Sequence, residues 1–176
     1  EVSIQTNSGL ITKASVPQGA SRGSGEAVYL PAEAATQQVT ELIDPALEGA
    51  DIARQAEIDR KLIELDGTTN KSKLGANAIL AVSLAVARAA SLARRWPLWR
   101  HLRELADLNL GADRPPRLLV NVINGGAHAP GGLAIQEYLI SPQTDSLAAD
   151  VALAVEIYRA LGAELEWQFG ATATRL

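Results

Sequence analysis

The sequence predicts an α+β protein in two parts, residues 1–113 and 114–176. Three observations lead there. The first residues alternate apolar and polar about an Asn7-Ser8-Gly9 turn, the pattern of a β-hairpin. Between Ala32 and Leu108 the apolar residues recur at helical spacing in four separate stretches. After a linker at Gly111–Pro116, two short apolar runs bracket a glycine-rich loop and are followed by one more amphipathic stretch, giving strand–strand–helix.

Taken in order, Val2–Thr6 and Leu10–Val16 form the hairpin arms. Pro17–Gly25 is a polar, glycine-rich loop, and Glu26–Leu30 returns as a third strand. Ala32–Ile43 reads as a helix ended by Pro45, and Ile52–Leu65 as a second with Asp51 as its N-cap. Turn chemistry at Asp66–Asn70 closes it. Lys71 and Lys73 follow a helix C-terminus, where cations are favoured, and read as structural. Leu74–Arg95 is an alanine-rich helix, apolar on most faces and central to a helical cluster. Pro97 opens a short fourth helix whose Trp96 and Trp99 read as packing residues and whose His101 reads as a surface residue. In the second part Ser146 caps a helix to about Gln168, with Leu147, Val151, Val155, Tyr158, Leu161 and Leu165 as its apolar stripe.

Composition narrows the function. At 47% hydrophobic and 20% charged, the 176 residues are globular, and a net charge of −4 argues against a general nucleic-acid binder. Cysteine is absent, which excludes disulfides and thiolate metal sites and is compatible with a cytoplasmic setting. The N-terminus has no secretory pattern, and the uncharged run Leu74–Ala87 falls short of the roughly 20 residues a bilayer needs, so no membrane role is expected.

The chemistry-bearing stretch is Val120–Ile140. The apolar runs Leu118–Ile123 and Leu133–Ile140 read as buried strands around a loop of Gly125, Gly126, His128, Pro130, Gly131 and Gly132. Gln136 and Glu137 interrupt the second run, and a carboxylate there must be paired, protonated or at work. The stretch reads as one wall of an active site.

Glu64–Leu80, reading ELDGTTNKSKLGANAIL and continued by Val82-Ser83-Leu84-Ala85, resembles a signature of the enolase family, the glycolytic dehydratases of 2-phosphoglycerate. Val16-Pro17-Gln18-Gly19-Ala20-Ser21 resembles that family's catalytic loop. Gly125-Gly126-Ala127-His128-Ala129 with Gln136-Glu137 resembles its first barrel strands. The resemblance implies a cap with a three-stranded meander packed on helices, then the start of a (β/α) barrel. It implies a cytoplasmic, Mg²⁺-dependent homodimer. By position, Ser21 would ligate a Mg²⁺ ion, with Gly19 and Ala20 beside it on the substrate. His128 would lie near the phosphate. Gln136 and Glu137 would line the pocket, Glu137 near the leaving hydroxyl.

The departures bear on activity. The family's base lysine, metal carboxylates and Gly-Asp-Glu-Gly-Gly motif lie on the later barrel, whereas the four lysines here are Lys13, Lys61, Lys71 and Lys73. Arg22 stands where the loop usually has Thr, Ala127 replaces the usual Ser, the segment after Leu30 is shortened, and the opening Arg-Gly-Asn-Pro-Thr motif is missing. The expectation is therefore a truncated, diverged member, inactive alone and completed by a homo-oligomer or a complementary barrel-bearing chain that supplies the Mg²⁺ ligands. The alternatives are a non-catalytic interaction subunit, or half of a split enzyme for a related phosphorylated or phosphonate acid.

Overall fold

The computed structural model describes residues 1–19, 22–108, 115–126, 129 and 133–170. It forms two compact units, Glu1–Leu110 and Gly111–Leu176.

The first unit opens with the expected hairpin. Strands β1 (Val2–Gln5) and β2 (Ile11–Ala14) pair antiparallel from Val2↔Ala14 to Gln5↔Ile11, closed by the Gly9 N–H on the Thr6 carbonyl. Among the described residues this sheet has two strands. The expected third, Glu26–Leu30, has extended backbone but spends its hydrogen bonds on a helix approach. Val28 N–H donates to the Asn70 carbonyl (2.7 Å), and the Val28 carbonyl accepts from Ala76 N–H (2.8 Å). The Asn77 amide then brackets Leu30, accepting from its N–H at 3.1 Å and donating to its carbonyl at 3.0 Å. With these groups satisfied, the segment has no ladder left to offer.

Helix α1 (Ala32–Gln38) runs through a π-helical turn, Val39–Ile43, into the single turn of α2 (Asp44–Leu47). Pro45 was expected beyond the helix end; it sits inside α2. It has no N–H, and in a regular helix its ring would crowd the Glu41 carbonyl. The chain widens instead, so that Asp44 N–H reaches back five residues to the Val39 carbonyl. Helix α3 (Gln55–Asp66) starts three residues later than the apolar pattern suggests, because the Asp51 carboxylate caps the Ala53 N–H in a separate turn before it.

Helix α4 (Ala76–Ala93) is the hub of the unit: β1, β2, α1, α3 and α5 (Leu98–Leu105) all pack on it. Its small side chains permit that crowding. The core comprises Ile43, Ile58, Leu62, Leu74, Val82 and Val86, with Val2, Ile4 and Leu30 against it. Thr12 Oγ1 ties the hairpin down by donating to the Ala85 carbonyl at 2.8 Å. At 18 residues and mean hydropathy 1.6, α4 meets the length and composition of a membrane span, but half of it is buried inside this unit, as expected of a core helix.

Between α4 and α5, Trp96 is half-buried between two guanidiniums, Arg94 at 4.9 Å and Arg100 at 4.5 Å from its ring centroid. Trp99, by contrast, is exposed. His101 corrects its reading as a surface residue: it is 1% exposed. Periodicity could not show this, because the burial comes from docking α5 on α4.

In the second unit β3 (Val120–Asn124) pairs antiparallel with β4 (Glu137–Ile140), and α6 (Leu147–Phe169) follows. Ser146 caps α6 as expected, its Oγ accepting from Ala149 N–H. The strands were read as buried; within this unit β4 is mostly exposed and β3 half-buried. A two-stranded sheet has too little around it to cover both faces. The apolar stripe of α6 is likewise exposed at Leu147, Val151, Val155 and Tyr158.

Candidate functional site

The Asp66–Leu80 stretch is a structural knot. Asp66 ends α3 and is 2% exposed. It accepts from Leu74 N–H (2.8 Å), Thr68 N–H (2.9 Å) and the Thr68 hydroxyl. Burial alone would raise its pKa, but these hydrogen bonds and the Lys71 charge outweigh it and hold the carboxyl below its usual range. Lys73 Nζ donates to the Leu65 carbonyl (2.9 Å) and Lys71 Nζ to the Thr68 carbonyl (3.0 Å), so both ammoniums serve the helix end, as their spacing anticipates. Gly75 follows with φ +88°; a Cβ there would sit 2.8 Å from Asn77 Oδ1 and 2.9 Å from Leu30 Cγ. The knot therefore fixes residues 28–30, which lead out of the Pro17–Gly25 loop. Of the site residues expected on that loop, Gly19 is exposed, while Ala20 and Ser21 lie outside the described residues. Arg22 stacks its guanidinium 5.6 Å from the Tyr29 ring.

The second group of expected residues lies on the β3–β4 pair. Past Asn124 the ladder continues through glycine: Gly125 N–H donates to the Gln136 carbonyl (2.7 Å) and Gly126 N–H to the Leu133 carbonyl (2.9 Å). A Cβ on Gly125 would fall onto the Ile135 carbonyl and 2.8 Å from Leu133 Cβ, so close backbone approach demands glycine here. This brings the Gly125-Gly126 loop entry beside Gln136, with Glu137 paired to Asn124. His128, two residues further, lies outside the described residues. Glu137 was read as a carboxylate inside a buried strand; in this unit it is exposed, for the same lack of cover that leaves β4 open.

Sequence reasoning passed over Asn121 and Asn124. A bulge between Asn121 and Ile123 turns both asparagines to one side, and Asn121 Nδ2 bonds Asn124 Oδ1. Asn124 lies directly across from Glu137, so the three polar side chains share one face of the pair. The signal was an odd spacing, three residues apart on a strand, which only a bulge reconciles with a common face.

Among the described residues no three His, Cys, Asp or Glu side chains group to hold a metal ion. The described set does not fit Mg²⁺, and the ligand the resemblance assigns, Ser21, is outside it. A groove of about 860 Å³ does open in the first unit between β1 and the Val39–Ile52 segment, but none of the expected site residues lines it.

Residues 1–102 match the family described as Enolase, N-terminal domain, and residues 115–176 the family described as Enolase, C-terminal TIM barrel domain. Proteins named Enolase from Methanopyrus kandleri and Methanothrix thermoacetophila are 43% and 42% identical over 187 residues, covering 100% of this chain and 43% of each relative. Enolase 2 of Lactobacillus johnsonii is 44% identical over 177 residues, covering 94% of this chain and 40% of the relative. The chain thus spans about two fifths of the length of these curated relatives.

Proposed function

The chain belongs to the enolase family, and from that premise we propose that it forms one wall of a carbon–oxygen lyase that dehydrates 2-phosphoglycerate to phosphoenolpyruvate in the cytoplasm. The observation that supports this best is the glycine-locked junction of Gly125 with Gln136, which sets the loop leading to His128 beside the strand bearing Glu137. In the reaction a base removes the C2 proton, the electron pair becomes the C2–C3 double bond, and the C3–O bond breaks to release water. Glu137 holds the proton that the departing hydroxyl takes up. Gln136 orients the substrate on the same strand, and His128 sits against its phosphate. Backbone N–H groups of Gly19 and Ala20 close over the substrate from the Pro17–Gly25 loop. The boundary between the cap and the barrel portion falls at 113/114.

None of the four lysines lies beyond Lys73, so this reading takes its base, and the Mg²⁺ ligands other than Ser21, from a complementary barrel-bearing chain or segment. Mg²⁺ held by Ser21 and those further ligands would supply positive charge beside the substrate carboxylate and so acidify the C2 proton. The test is to mix this chain with the remaining barrel of a relative, with Mg²⁺, and follow phosphoenolpyruvate by its ultraviolet absorbance. Activity is expected only in the mixture, and Glu137→Gln should lower kcat by about 10²–10⁴-fold. A mixture with no turnover sinks the proposal.

The exposed apolar stripe of α6 favours a second reading, an interaction subunit that docks through this unit without chemistry. It predicts a stable complex that binds no phosphate ligand and is unchanged in His128→Ala.

A further inference from the structure

Helix α5 is eight residues long, and its only buried side chain is His101. Neighbouring Trp99, Leu102 and Leu105 are exposed and Leu98 is half-buried, so the one fully buried group that α5 contributes where it packs on α4 is an imidazole. Both ring nitrogens, Nδ1 and Nε2, are buried without a hydrogen-bond partner. A neutral imidazole already has one donor and one acceptor unsatisfied there, and an imidazolium would bury two bare donors and a charge.

The charged groups around the ring do not compensate. From the end of α4, Arg94 repels a positive ring; from the last turn of α5, Glu104 attracts it. Glu104 is already committed, since Arg94 Nη1 holds its Oε1 at 2.7 Å. Arg100, next to His101 on α5, adds no anion and stacks on Trp96. Burial, followed by the Arg94 charge, sets the ring against protonation more strongly than Glu104 favours it.

We propose that the docking of α5 on α4 is proton-gated through His101: uptake of one proton by its ring releases α5 from α4. The rest of the unit does not share this dependence, because its core is built from Ile43, Leu62, Leu74 and their apolar neighbours. A short helix with a single fully buried side chain opens below the global unfolding free energy, so the gate acts locally.

The sign follows from linkage. The released ring titrates near its ordinary value of about 6.5, whereas the docked ring resists protonation, so the released state binds more protons as the pH falls. The contribution of the neutral ring to docking is fully present above about pH 6.5 and diminishes progressively below it.

The test is amide hydrogen exchange of the whole chain, corrected for intrinsic rates, between pH 7.5 and pH 5.5, a window above ordinary glutamate titration. Protection of α5 relative to α4 should fall, by at most about tenfold. His101→Phe, which fills the space without titrating, should abolish the fall, and His128→Asn should preserve it. A ratio independent of pH, or a fall that persists in His101→Phe, overturns the proposal. Should His101→Phe fail to fold, the ring carbon of His101 can be titrated by NMR in the unaltered chain. Titration below 6.5 that coincides with the loss of α5 protection supports the gate; titration at or above 6.5 overturns it.

Discussion

Asp66 shows how a single residue can hold a motif together. Its carboxylate replaces three hydrogen bonds that water would otherwise make to Thr68 and Leu74, in a place water does not reach. Asp66→Ala leaves the Leu74 and Thr68 N–H groups unpaired and should cost about 2–4 kcal/mol in urea unfolding. Because its pKa in the fold lies below the ordinary value, the contribution is present above about pH 4 and is lost as the pH falls through the lower folded value. A stability that stays level from pH 6 to pH 2 would contradict this. In the sequence Asp66 reads as turn chemistry, because Asp-Gly after a helix looks the same whether the carboxylate points to solvent or inward. His101 was misread for a related reason: flanked by Arg100 and Leu102, nothing local separates an anchor from an exposed residue. Gly125 was legible as glycine's own position, although its cause is the approach of the Ile135 carbonyl rather than turn sharpness alone.

At the scale of elements, helices read well and the third strand did not. The apolar periods of α3, α4 and α6 and the Ser146 cap follow from local rules, so the sequence carries them directly. Residues 26–30 have strand composition, yet their partners, Asn70, Ala76 and Asn77, lie more than forty positions away, and no period encodes that pairing. Asn77→Ala removes both amide contacts to Leu30 and leaves a half-buried N–H and carbonyl bare; a loss of about 1–3 kcal/mol is expected. Ser146→Ala should cost about 1 kcal/mol, felt as fraying of the first turn of α6 in hydrogen exchange. If Asn77→Ala proves as mild as a surface change, the clamp is not what holds the segment in place. Within the candidate site, strand-borne Gln136 and Glu137 were legible because polar residues break an apolar run. Asn121 and Asn124 were not, since their common face depends on the bulge.

At the scale of the molecule the two units differ in what they bury. Of the buried Ala, Val, Leu and Ile residues among those described, only Ala154 lies beyond residue 110. The first unit therefore has a core that can melt cooperatively, and the second has mostly exposed apolar surface. Urea should unfold the first in a sharp transition and the second earlier and more gradually; coincident transitions by all probes would refute the difference. This asymmetry has an optical counterpart. Trp96 and Trp99 belong to the first unit, and Trp167, 80% exposed, to the second. Trp96 alone is held between two cations, at the junction that His101 anchors. With Trp99 and Trp167 replaced by Phe, the remaining indole becomes a native fluorophore for that junction, reporting the seating of a single helix from within the chain.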